Sequence, residues 1–203
     1  MIRSVVLCLA LLAGGCATVP PAVEAPAGEA GWQRHEAALA GLKRWQLSGR
    51  LAIQTEKDSW SGSIRWNQDH EFYQIDFAGP FGQGASSLTG DLRRVVLKTP
   101  DGEIVGLDGP EALLRERLGW QFPLSELQWW IIGLPSPERS IERRQLDEAG
   151  RLAQLQQSDW SIDYRRYQPV GALALPEKIV IRHDHLGLKL IIDEWSLDPA
   201  PQS

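Results

Sequence analysis

The chain has 203 residues, 43% of them hydrophobic and 23% charged, with a formal net charge of −5. That length and balance suit one domain with a sizeable core and exclude a disordered or fibrous chain. The mild acidity gives no reason to expect a nucleic-acid partner, and none is expected.

The first segment, "MIRSVVLCLALLAGG" (1–15), carries one Arg, an apolar run too short for an ordinary spanning helix, and small residues ahead of Cys16. It reads as an export signal, and its removal takes away one Arg and no acid, moving the charge from −5 to −6. Cys8 would leave with it, so Cys16 becomes the one thiol of the mature chain and no disulfide framework is possible. After an ordinary cleaved signal, Cys16 would be an exposed, oxidisable thiol. "LAGGCA" (12–17) reads instead as a lipoprotein signal, although Ala13 stands where Leu is commoner. Cys16 is then a lipid anchor, with diacylglycerol on sulfur and a further acyl chain on the amine. Such chains hold stably in a bilayer because each buried CH₂ contributes about 0.8 kcal/mol. Residues 16–31 are assigned to the lipidated Cys and a flexible Pro/Ala tether, whose fifteen residues "ATVPPAVEAPAGEAG" would reach on the order of 45 Å if extended.

The folded domain is expected over 32–203. Trp32, Leu39 and Leu42, with His35 on the same stripe, predict a short amphipathic helix. The period then changes to two. Leu47, Gly49, Leu51 and Ile53 share one strand face, as do Trp60, Gly62, Ile64 and Trp66, and then Tyr73, Ile75 and Phe77. Two helices interrupt the alternation. "DGPEALLRERLGW" (108–120) opens with Gly-Pro and stops at Gly119; "FPLSELQWWIIGLP" (122–135) starts at Pro123 and ends at Gly133 and Pro135. Strands resume, with a hairpin turn at Ala149-Gly150, an apolar face of Trp160, Ile162 and Tyr164, and a last one of Leu186, Leu188, Leu190 and Ile192. About ten or eleven strands with two or three helices and no βαβ spacing predict an antiparallel α+β protein, a curved sheet or barrel.

No chemistry-bearing constellation stands out. His183 and His185 form an H-x-H that is read as an exposed strand face, and "GPFGQGAS" (79–86) lacks the Lys and helix of a phosphate loop. Ser86 and Ser87 lack a nucleophile elbow. No catalytic residue, metal or cofactor is therefore expected, and the protein is not read as an enzyme. Nine Trp and a single Met leave two readings open: a solid Trp-rich core, or a broad cavity with rigid apolar walls. In "GPFGQG" (79–84), Pro80 and Gly82 fix a turn that holds Phe81 outward.

The ordered segments "GRLAI" (49–53), "WSGSIRW" (60–66), "GPFGQGASSLTGD" (79–91), "LGWQFPLSELQWWIIGLPSP" (118–137), "DWSIDYRRY" (159–167) and "LPEKIVI" (175–181) resemble the LolB family of outer-membrane lipoprotein receptors. The likeness runs from about Trp32 to Trp195, and Ala17 after Cys16 resembles the sorting signal of Gram-negative outer-membrane lipoproteins. The resemblance implies an incomplete, half-open antiparallel barrel of about eleven strands with helices covering its mouth. It implies a lipid-anchored protein on the periplasmic face of the outer membrane, a LolA-like periplasmic carrier, acylated lipoprotein cargo, delivery into outer-membrane lipid and a monomeric chain. Family members carry a protruding apolar residue, usually Leu, in the P-x-G turn, and Pro80, Phe81 and Gly82 match it with an aromatic in place of Leu. An acyl-chain cavity is expected to be lined by Trp60, Ile64, Trp66, Ile75, Trp120, Leu127, Trp129, Ile162 and Leu190. The alternative function is an outer-membrane lipoprotein scaffold with a solid core and no lipid binding.

Overall fold

A computed structural model describes residues 27–199 apart from 92, 107, 108, 121 and 185. Cys16, the signal and most of the tether lie outside the described residues. Helix α1 spans Ala27–Ala40. It is followed by strands β1 (Arg44–Gln54), β2 (Ser59–Asp69), β3 (Phe72–Ala78), β4 (Ser86–Gly90), β5 (Val95–Thr99) and β6 (Gly102–Gly106). Helices α2 (Pro110–Leu118) and α3 (Leu124–Ile131) come next, then β7 (Arg143–Leu146), β8 (Leu152–Gln157), β9 (Trp160–Val170), β10 (Leu173–His183) and β11 (Leu186–Leu197).

All eleven strands join one sheet in the order β6-β5-β4-β3-β2-β1-β11-β10-β9-β8-β7. The pairings between them are antiparallel, and β1 links the two halves by pairing with both β2 and β11. β6 and β7 are consecutive along the chain yet lie at opposite edges. The segment between them therefore has to cross the open side of the curled sheet, and it carries α2 and α3. The expected α+β half-open barrel, with helices over its mouth, follows from this topology.

Alternation puts Leu47, Leu51 and Ile53 of β1, Ile64 and Trp66 of β2, and Leu188, Leu190 and Ile192 of β11 into the core. Two glycines on the same face allow the sheet to bend sharply. A Cβ at Gly49, where the β1–β11 register shifts, would run into the Ile191 carbonyl oxygen, and one at Gly62 into that of Ala78.

α1 takes in residues 27–31, which the sequence reading gave to the tether. Side-chain chemistry accounts for the earlier start. Glu29 accepts a 2.7 Å ion-paired bond from Arg144, whose guanidinium also lies 5.2 Å over the Trp32 ring. Gly31 packs closely against the Ala149-Gly150 backbone, where an added Cβ would come within 3.0 Å of the Ala149 carbonyl oxygen. The helix signals at α2 and α3 act as expected: Pro110 begins α2, Gly119 ends it at φ +69°, Pro123 precedes α3, and Gly133 follows it at φ +87°.

Candidate functional site

Between the inner face of the sheet and the two crossing helices lies a cavity of about 60 Å³ with a wholly apolar wall. Six of the nine residues expected at an acyl-chain cavity line it: Ile64, Trp66 and Ile75 from β2 and β3, Leu190 from β11, Trp120 from the α2–α3 linker, and Leu127 from α3. Phe77, Leu88, Leu114, Phe122 and Ile131 complete much of the wall and were not among the expected residues. Phe77 carried a legible signal, since it continues the alternation of Tyr73 and Ile75.

The other three stand elsewhere. Trp60 is half-buried at the rim, its ring 5.5 Å from that of Trp120 and 6.0 Å from that of Phe77. Trp129 faces a separate groove, with the Lys43 ammonium 5.2 Å from its ring centroid. Ile162 is fully buried in the sheet opposite Leu155 and Ile181.

The helices are held unequally. Gln157, fully buried at the end of β8, is saturated. Its Oε1 accepts from the Trp130 indole and the Ser136 amide at 2.9 Å each, and its Nε2 donates to the carbonyls of Ser136 at 3.0 Å and Arg139 at 2.8 Å. The Tyr164 hydroxyl adds a 2.9 Å bond to the Trp130 carbonyl. Arg139 donates to the buried Glu126 carboxylate at 2.7 Å. α3 is thereby fastened to β8 and β9. Among the described residues, α2 is tied by side-chain hydrogen bonds only through Glu111, which accepts from the Ser125 amide at 3.1 Å and hydroxyl at 3.3 Å. Otherwise α2 rests on apolar contacts, with Leu113 and Leu114 buried.

Pro80–Gly82 forms a single 3₁₀ turn, closed by the Gly82 amide donating to the Gly79 carbonyl at 3.1 Å and the Gln83 amide to the Pro80 carbonyl at 3.3 Å, with a 2.8 Å bond from the Gly79 amide to the Gln83 carbonyl across its base. Phe81 sits at its tip with φ +59° and a relative exposure of 103%, its ring wholly in solvent. Ser86 donates to the Gly84 carbonyl at 2.9 Å, and the Ser87 hydroxyl meets that of Thr89 at 3.5 Å. His183 stacks on Trp160 at 4.7 Å, and His185 lies outside the described residues.

The resemblance implied an apolar chamber under helices and a protruding apolar residue, and the family model "Outer membrane lipoprotein LolB" matches residues 43–195. The chain belongs to the LolB family. The match opens just before β1 and closes on β11, so it takes in the whole sheet and both covering helices. An outer-membrane lipoprotein LolB of Stutzerimonas stutzeri is 39% identical over 190 residues, 93% of this chain and 92% of the relative. One from Nitrosococcus oceani is 38% identical over 194 residues, covering 96% of both chains. Among solved structures, a putative outer membrane lipoprotein-sorting protein domain from Vibrio parahaemolyticus superposes with a TM-score of 0.59 at 10% identity. That superposition spans 87% of this chain and 94% of the other, which shows that the LolB fold is shared.

Proposed function

We propose that this LolB-family protein is a lipid-anchored outer-membrane receptor. It takes acylated lipoproteins from a LolA-like periplasmic carrier, shelters their acyl chains between the sheet and α2–α3, and releases them into the inner leaflet of the outer membrane. The observation that carries the reading is the cavity wall, which is apolar throughout and built jointly by the sheet and the helices that cross its mouth. Three acyl chains hold about 45 CH₂ groups, and exposing them to water would cost on the order of 30 kcal/mol. Transfer must therefore run from one apolar cavity to another. Without a nucleotide motif in the sequence, the direction is set by rising affinity from carrier to receptor to bilayer.

At about 60 Å³ the chamber is narrow in this structure. Pockets for drug-sized ligands occupy about 300–1,000 Å³. Loading thus requires the cover to lift, and α2 with the Trp120 linker is the part with few polar ties to break. The same small volume favours a second reading, a scaffold on the outer membrane with a solid core.

A fluorescent long-chain fatty acid separates the two. Saturable binding that palmitate competes away is expected of the receptor, and replacing Leu127 by Glu on the cavity wall should weaken it at least ten-fold. No binding at any temperature below unfolding would leave the scaffold.

A further inference from the structure

A second depression lies on the outer face of the sheet, beside the Phe81 turn, and acyl-chain shelter makes no use of it. It measures about 460 Å³. Ala52, Ser61, Gly62 and Ser63 of β1 and β2 line it, the Gly79–Gly82 turn borders it, and Arg50 and Lys189 project into it from β1 and β11. Both cations are exposed. The Lys189 ammonium has no side-chain partner among the described residues. Arg50 holds Asp193 through Nη2 at 2.8 Å and Nε at 3.3 Å, which leaves Nη1 free. No carboxylate lines this groove. The depression on the opposite flank of the turn differs: its Arg65 stands opposite Asp76 on the paired strand, its Lys98 is paired with Glu103 at 3.4 Å, and its Asp193 is the partner of Arg50.

We propose that the Lys189–Arg50 groove docks the anionic headgroup phosphate of a bilayer phospholipid while Phe81 enters the acyl region beside it. The inference rests on the reading that this turn meets the outer membrane's inner leaflet, and it adds which flank of the protein faces the lipid. An apolar ring seated at the headgroup–acyl boundary lies about 5–10 Å deep, so cations bordering its turn stand at the level of the phosphates. Small side chains on the floor let a headgroup approach the sheet closely. Charge complementarity selects this flank: its Lys189 attracts the anionic surface with no carboxylate in the lining, whereas on the other side Arg65 and Lys98 are offset by Asp76 and Glu103. Local cations are needed because the chain as a whole has a net charge of −5 and gains nothing from a negative surface.

The test uses the purified lipid-anchored protein, labelled with NBD at Gln83→Cys and reconstituted into vesicles of phosphatidylcholine alone or of phosphatidylcholine and phosphatidylglycerol in equal parts. NBD emission rises when the turn leaves water. Emission is expected to be higher on the phosphatidylglycerol vesicles, with Lys189→Glu and Lys189→Gln lowering bilayer partitioning of the turn by about five-fold or more and Lys189→Arg retaining it. Inorganic phosphate at constant ionic strength should leave the signal unchanged; its abolition would assign the groove to free phosphate and overturn the proposal. Equal, high emission from all variants on both vesicles would also overturn it while leaving the receptor reading intact. Low emission from every variant on both vesicles would show that the turn does not enter the bilayer, and both the groove and the delivery step would fall. Unchanged circular dichroism and undiminished fatty-acid binding by the Lys189 variants keep loss of folding apart from loss of docking.

Discussion

Phe81 occupies a left-handed backbone conformation at φ +59° and ψ +23°, between Pro80 and Gly82 at φ +78°. For a residue with a large side chain that conformation costs on the order of 1–2 kcal/mol, and here it aims the ring away from the domain. Burying such a ring in lipid gains about 1.5–3 kcal/mol, enough for brief contact and too little to hold the protein there. Phe81→Glu should therefore still accept cargo from the carrier and fail to insert it into vesicles; normal insertion by that variant would remove the turn's role. The outward ring was legible from "GPFGQG" alone, because Pro and Gly specify the turn. Trp60, Trp129 and Ile162 show the opposite case. Alternation placed Trp60 and Ile162 on apolar strand faces, yet such a pattern gives a face and not a depth. Trp60 lies on the face of Ile64 but nearer the rim, and Trp129 is turned about 100° around α3 from its buried neighbour Trp130.

At the scale of elements, α3 owes its position to Gln157 as much as to its own apolar stripe. Four hydrogen bonds, three of them buried, converge on that amide, joining β8 to the Trp130 indole and to the Ser136–Arg139 loop. Gln157→Leu keeps the volume roughly constant but strands those partners, and it should destabilise the protein by about 3 kcal/mol. Urea unfolding monitored by tryptophan fluorescence would measure this; a change below about 1 kcal/mol would show that the clasp does not fasten the helix. Nothing in the sequence marked Gln157, since a Gln near a strand end reads as surface until its partners are known. The helix boundaries were legible, because Pro110, Gly119, Pro123 and Gly133 act through local backbone geometry.

At the scale of the whole molecule, the curled sheet leaves an open side that the β6–β7 connection must cross, and α1 closes the β7–β8 end. His35 on α1 is half-buried, with its Nε2 unpartnered in the interior and its ring 6.1 Å from Tyr167. Burial, then the nearby Arg151 guanidinium, lowers its pKa below the ordinary 6.5, with Asp147 opposing. The unfolded chain therefore takes up a proton near that ordinary value while the folded chain resists it. Stability contributed by neutral His35 is full above about pH 7.5 and is lost as pH falls through 6.5 towards the lowered value. Denaturation midpoints at pH 7.5 and 5.5 should differ more for the native chain than for His35→Gln, and parallel shifts in the two would place the acid sensitivity elsewhere.

What the sequence determined by itself was set by short-range physics. Period-two alternation specified strands with one apolar face, Pro and Gly specified the helix ends and the Phe81 turn, and the quoted motifs pointed to the LolB family that the family model bears out. What the tertiary structure alone decided concerns groups distant along the chain: the pairing of β1 with β11, the α1 start at Ala27, the saturation of Gln157, and the small volume of the cavity. These depend on how far the sheet curls and how closely two helices settle across it. Such quantities arise when residues far apart along the chain compete for the same space, and no local pattern records them.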